Sequence, residues 1–241
     1  GERGETPRYL AGARTADPAI VEAQSDRVDE AIRVYHEQVT EFSQTFEDDE
    51  INDQLTRIDG QLERIPQIRE AMRNTKVDQV TISEDYTQVL DELLELDKHL
   101  GTGIRDAEIT GAARALDALG RLKEAVAAER GLIFGVLSMG AWTTDDRDRF
   151  HQADANRKAA LADLMRAVSP EQAQLWNQFV SGPDVDEVAL MRDQIFAAED
   201  DLSAFQQDVW FQDSKDELDL MRAVETQISD QLLDRSDMLH Q

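Results

Sequence analysis

Few side chains in this sequence are placed to do chemistry, and the most unusual of them is an arginine. Glu129-Arg130-Gly131 falls inside an apolar series, Leu119, Leu122 and Val126 before it and Ile133 and Leu137 after it, whose three-and-four spacing marks one face of a helix. A guanidinium therefore stands where the pattern asks for a core side chain. Glu129 and Gly131 lie about 100° to either side of it, so Glu129 need not neutralise Arg130, and Gly131 leaves room beside it. The tripeptide recurs as Glu2-Arg3-Gly4, and Leu10 follows Arg3 as Leu137 follows Arg130. Two such guanidiniums converging in an otherwise apolar space could fork onto the oxygens of a small planar anion. The structural alternative is that each arginine snorkels to water or pairs with a carboxylate across a bundle. Convergence on one cavity favours binding, and burial against separate carboxylates favours structure.

Other chemistry finds little support. There is no cysteine, so thiolate metal sites and disulfides are excluded, and only four histidines are available. Asp148/His151 and Asp237/His240 have the spacing of helical carboxylate and histidine metal pairs, but their surroundings are strongly polar, and no metal site or cofactor is expected. No glycine-rich phosphate loop or nucleophile elbow is present, so an enzyme is not expected either. With 25 basic against 51 acidic residues, the formal charge of -26 repels phosphate backbones and anionic lipid at long range, which excludes nucleic acid as a partner. The same charge does not exclude a local anion site. Carboxylates beyond a Debye length of about 8 Å are largely screened, whereas one contact at about 4 Å in an effective dielectric near 20 is worth roughly 4 kcal/mol before desolvation.

The elements that must position the two arginines read as helices throughout. The 41% hydrophobic content is enough for a sizeable core, and no stretch alternates apolar and polar residues with β-branched enrichment as a strand would. The organising helix is predicted over about Ala107 to Gly140. Residues 1–14 match its second half, so the helix they belong to is expected to continue upstream of Gly1. Asp17-Pro18 opens a helix carrying Val28, Ile32, Tyr35, Val39, Phe42 and Phe46. The acidic run Glu47 to Glu50 reads as a solvated turn before Ile51, Leu55, Ile58 and Leu62, and Pro66 should end or kink that helix. Ser83 is expected to cap the helix of Tyr86, Val89, Leu93 and Leu96, which Gly101-Thr102-Gly103 stops. Further on, Thr143 or Thr144 caps a helix to about Val168, Ser169-Pro170-Glu171-Gln172 is a capping box, and Gly182-Pro183 breaks the chain. Helices are then predicted over Val188 to Phe205 and Ser214 to Met238. The expected architecture is a single all-α domain, an antiparallel bundle of about eight helices, with two related four-helix halves over about 1–105 and 106–241.

The duplicated Glu-Arg-Gly, each copy followed by an apolar pair (Tyr9-Leu10, Val136-Leu137), the capped helix with Arg27-Val28-Asp29-Glu30-Ala31, and the stretch Leu62 to Arg73 before a Tyr86-centred helix resemble the nitrate- and nitrite-sensing (NIT) domain of bacterial receptors. The resemblance spans nearly the whole chain. It implies two four-helix bundles and a nitrate or nitrite ligand held by arginines of the motif helices, a role that carries over onto Arg3 and Arg130, with Gly4 and Gly131 as close-packing neighbours. The copies differ after the tripeptide, where Glu5-Thr6-Pro7-Arg8 stands opposite Leu132-Ile133-Phe134-Gly135 and Pro7 is expected to kink the first motif helix. Such domains occur in cytoplasmic antiterminators, in chemoreceptors and outside the membrane in sensor histidine kinases. The acidic, alanine-rich, cysteine-free composition is most similar to the last class, which implies an extracytoplasmic sensor anchored through flanking segments, with a homodimer among the assemblies allowed. A ligand-free structural or partner-binding helical bundle is the competing expectation.

Overall fold

The helical periodicity of the sequence organises the molecule from end to end. A computed structural model of the chain describes residues 18–45, 49–73, 79–100, 107–198 and 201–239. Among them are nine α-helices and no strand: α1 (Pro18–Thr45), α2 (Asp49–Leu62), α3 (Ile65–Arg73), α4 (Gln79–Leu100), α5 (Ala107–Met139), α6 (Thr144–Ala167), α7 (Pro170–Phe179), α8 (Pro183–Ala197) and α9 (Gln207–Leu239). The all-helical expectation is met. The helix expected over residues 1–14, with Arg3, Gly4 and the Pro7 kink, lies outside the described residues, as do the Asp17 cap, the start of the acidic turn at Glu47, the Gly101-Thr102-Gly103 stop and His240. No helix among the described residues is long and apolar enough to cross a membrane.

The chain divides into two compact units, Gly1–Leu100 and Gly101–Gln241. In the first, α4 packs on both α2 and α3, and α1 lies against α2. The expected break at Pro66 falls just ahead of it. Residues 63–64 form a turn closed by Glu63 N–H to the Asp59 carbonyl, and Pro66 sits in the first turn of α3, where its missing N–H leaves no bond unmade. The core joins Ile58, Leu62, Ile65, Ile68, Met72, Ile82, Tyr86 and Val89, with Val28, Ile32 and Tyr35 of α1 packed against it. Helix α4 begins at Gln79, ahead of the expected cap at Ser83. The reason is Ile82, fully buried, which extends the face of Tyr86 and Val89 by one turn.

In the second unit α5, about 50 Å long at 1.5 Å per residue, packs on both α6 and α9, while α7 and α8 pack on α9. Its stripe faces inward as the spacing requires, with Leu119, Leu122, Val126, Arg130, Ile133 and Leu137 all buried. Small residues at Ala112, Ala115 and Ala118 share a core with Leu218, Met221, Val224 and Ile228 of α9, closed by Leu164 and Trp176. Gly140, at φ 76°, ends α5 in the left-handed conformation glycine adopts without cost, and its N–H reaches the Val136 carbonyl. Reciprocal capping boxes start α6 at Thr143/Asp146 and α7 at Ser169/Gln172.

Two boundaries differ from expectation. Helix α8 starts at Pro183 and stops at Ala197 instead of running to Phe205. Its last carbonyls are taken by side chains from the α5–α6 corner, Trp142 Nε1 donating to Ile195 and Arg147 to Phe196 and Ala198, and Leu202 is buried in the connection that follows. Helix α9 starts at Gln207 instead of Ser214, because the buried Trp210 and Phe211 prolong its core face. Among the described residues the second unit carries five helices, one beyond a four-helix half, the extra one being the short α7 that the Ser169-Pro170-Glu171-Gln172 capping box opens as the sequence indicates.

Candidate functional site

Arg130 is only 4% exposed, although nothing about a guanidinium favours leaving water. Its position in the α5 stripe forces it toward α9, where polar and aromatic groups receive it. Nη2 donates to the Phe211 carbonyl at 3.0 Å, and Nε donates to the same carbonyl at 3.3 Å and to Ser214 Oγ at 3.2 Å. The guanidinium carbon lies 3.6 Å from the centroid of the Phe211 ring, within cation–π range. Trp210 Nε1 in turn donates to the Arg130 main-chain carbonyl at 3.1 Å. One residue of α5 is therefore held at both main chain and side chain by one turn of α9.

Glu129, its neighbour in sequence, faces elsewhere. It is 1% exposed, accepts a 2.7 Å hydrogen bond from Arg157 Nε of α6, and lies 2.5 Å from Arg192 Nε of α8, a charge contact whose N–H is not aligned for hydrogen bonding. Arg192 is itself buried and reaches Glu217 of α9 at 3.1 Å, while Arg157 also donates to Asp154 at 2.7 Å. Four helices thus meet through two carboxylates and two guanidiniums. Burial pushes the Glu129 carboxyl above the usual carboxylate range, and the pull of Arg192 and Arg157 does not cancel it. For Arg157 the balance falls the other way: burial lowers it, but Glu129 and Asp154 outweigh burial and hold it above its ordinary value.

Of the predicted site residues, the structure places Arg130 on the buried face of α5 and Gly131 half-buried beside it, while Arg3 and Gly4 lie outside the described residues. Sequence reasoning missed the groups that receive Arg130, namely Trp210, Phe211 and Ser214, and the whole Glu129 network. The face Trp210, Ser214, Leu218 and Met221, spaced by four, four and three, was the available signal. Asp148 and His151 are both exposed, and among the described residues no group of three or more metal-ligating side chains could hold an ion. Chemically, a buried guanidinium bonded to a neutral carbonyl and a hydroxyl can exchange those acceptors for an oxyanion, because an anionic acceptor adds the attraction of opposite charges to the hydrogen bonds it accepts.

Three comparisons bear on this geometry. No curated protein matches the chain. Among solved structures, the structure of the NasR transcription antiterminator superposes with a TM-score of 0.88 over 99% of this chain at 18% identity. That likeness shows a shared helical fold, and this chain spans 64% of the length of that one. A family described as nitrate and nitrite sensing matches residues 1–233. The family match runs along almost the whole chain and the shared fold agrees with it, and the chain belongs to the nitrate- and nitrite-sensing (NIT) family.

Proposed function

We propose that this chain is a ligand-sensing domain that takes up a small oxyanion of the nitrate or nitrite type at Arg130 and passes the event on through α9. The observation that carries the reading is the buried guanidinium of the family's motif helix, which bonds to the Phe211 carbonyl and Ser214 of α9. An anion competing for that guanidinium loosens the α5–α9 contact at one turn, and α9 runs on from there to Leu239. In this reading Arg3, with Gly4 beside it, contributes from the first motif helix as Arg130 and Gly131 do from the second. We further propose an extracytoplasmic domain of a transmembrane sensor histidine kinase, supported by the strongly acidic, cysteine-free composition. Reporter fusions to the parent chain that place this domain in the cytoplasm would end that part of the reading.

Thermal melts with nitrate, nitrite, sulfate and chloride test the ligand. A bound anion at about 100 times its dissociation constant stabilises the fold by roughly 2.7 kcal/mol, and Arg130→Ala is expected to abolish that gain for nitrate and nitrite. No gain in the wild type with either anion removes the proposal. A second reading, a ligand-free bundle in which Arg130 is a structural clamp, is favoured by the contacts it already makes to Phe211 and Ser214. It predicts no anion response at all together with a destabilised Arg130→Ala.

A further inference from the structure

Away from Arg130, the second unit carries a groove of about 490 Å³ lined by residues of α8, the connection after it and the start of α9. Its floor and walls are apolar at Leu190, Met191, Phe205 and Val209, and Leu190 and Val209 remain 57% and 42% exposed. Because both open onto one trough, they form a contiguous apolar surface and not two scattered side chains. One end of the groove is acidic. Glu187 lines it, and burial, together with repulsion from Glu187, Asp216 and Asp184, pushes the nearby Asp213 carboxyl upward. Among the described residues no lysine or arginine forms an ion pair with any of these four carboxylates. The helical spacing explains the layout: Asp184, Glu187 and Met191 follow one face of α8, and Val209, Asp213 and Asp216 follow one face of α9.

We propose that this groove docks a basic amphipathic helix of another protein, with apolar side chains seated over Leu190 and Val209 and a lysine or arginine reaching Glu187 and Asp213. Charge decides the occupant. A second copy of a chain with net charge -26 brings like charges together, and anionic bilayers are repelled for the same reason. A cationic helix gains from both halves of the groove, because its apolar stripe at three-and-four spacing fits an apolar trough and its polar face relieves four crowded carboxylates. This surface is separate from the anion reading and stands without it.

The test titrates the 241-residue chain into a fluorescently labelled helical peptide of leucine and lysine, leucines on one face, with a leucine and glutamate peptide of the same pattern as control. Salt of roughly 0.3 M is used, so that the Debye length lies below the about 8 Å of physiological conditions and diffuse attraction is suppressed. Saturable one-to-one binding of the lysine peptide is expected. The double variant Leu190→Ser/Val209→Ser should raise its Kd about tenfold or more, through lost apolar burial, and Glu187→Gln/Asp213→Asn should raise it to a similar extent. Both pairs sit at or near the surface, and unchanged circular dichroism checks that the fold survives. Equal binding by wild type and both double variants overturns the proposal by showing adhesion elsewhere. Equal binding of the glutamate peptide overturns the charge argument, and so does a wild-type chain that elutes as a dimer which Leu190→Ser/Val209→Ser dissociates.

Discussion

Helices α5 and α9 touch along two stretches of opposite character. Toward the start of α5, Ala112, Ala115, Ala118, Leu119 and Leu122 meet Leu218, Met221, Val224 and Ile228 of α9 in an apolar seam, flanked by the half-buried Lys123–Glu225 ion pair. Toward its end, the same pair of helices is joined by Arg130 on the Phe211 carbonyl and Ser214, by Trp210 on the Arg130 carbonyl, and by Ser138 on Gln207. An apolar seam is non-directional and tolerates small shifts, whereas a polar seam has few acceptable arrangements and can switch between them. In the proposed reading the apolar stretch keeps the two helices together and the polar stretch answers the ligand. Glu129 sharpens the contrast, since it fastens the polar stretch to α6 and α8 and leaves Arg130 to α9.

Breaking that fastening should have the largest effect. Glu129→Ala removes the carboxylate that accepts from Arg157 and lies against Arg192, leaving the half-buried Arg157 to Asp154 and the buried Arg192 to Glu217, at an expected cost of roughly 3 kcal/mol in urea denaturation. A cost below about 1 kcal/mol would mean that water or other carboxylates take over, and the two stretches would not differ as described. Next, Arg130→Ala deprives the buried Phe211 carbonyl and Ser214 of the guanidinium, with an expected loss of about 1 to 3 kcal/mol by the same measurement. In the apolar stretch Ile228→Val should cost only about 0.5 to 1.5 kcal/mol and leave any nitrate-induced shift in melting unchanged. If it alters the anion response as much as Arg130→Ala does, the division of labour along α9 is wrong.

The smallest expected effect is a pH dependence. Because burial holds the Glu129 carboxyl above its ordinary value of about 4.5, the folded state binds more protons than the unfolded one in the window just above that value. This contribution is present at lower pH and is lost as pH rises through the folded-state titration. Glu129→Gln keeps an acceptor for Arg157 but lacks the titration, so wild type should lose stability relative to the glutamine variant as pH climbs from about 4.5. Urea midpoints at several pH values read this directly, and a gap that instead moves in favour of the wild type would show that the two arginines outweigh burial.

How much of this was legible in the sequence depends on how far each signal reaches along the chain. The α5 stripe, the Arg130 anomaly within it, the Gly140 stop, a cap at Thr143 or Thr144 and the capping box at Ser169 are all encoded within a few residues, and each is where the pattern puts it, the cap falling on Thr143. Glu129 was invisible because a single stripe assumes one buried face, while α5 lies between α6 and α9 and is buried on two. Arg157, Arg192 and Glu217 carry no local mark, since their pairing spans sequence separations that no periodicity encodes. The early start of α9 was a weaker failure: Trp210 continued the spacing, but no capping residue announced the turn before it.

Ser214 has a consequence for mechanics. Its hydroxyl donates back to the Trp210 carbonyl one turn earlier at 2.5 Å, and the next carbonyl along, that of Phe211, is drawn toward Arg130. Hydroxyls turned back in this way favour a slight bend, and α9 has two of them, Ser214 on Trp210 and Thr226 on Arg222, of which the first lies at the Arg130 contact. On one side lies a short arm ending at Gln207, and on the other a long arm to Leu239, roughly 35 to 40 Å at 1.5 Å per residue. If ligand uptake at Arg130 shifts α9, as we propose, a bend favoured at Ser214 would turn a fraction of an ångström there into a larger lateral displacement at the far tip.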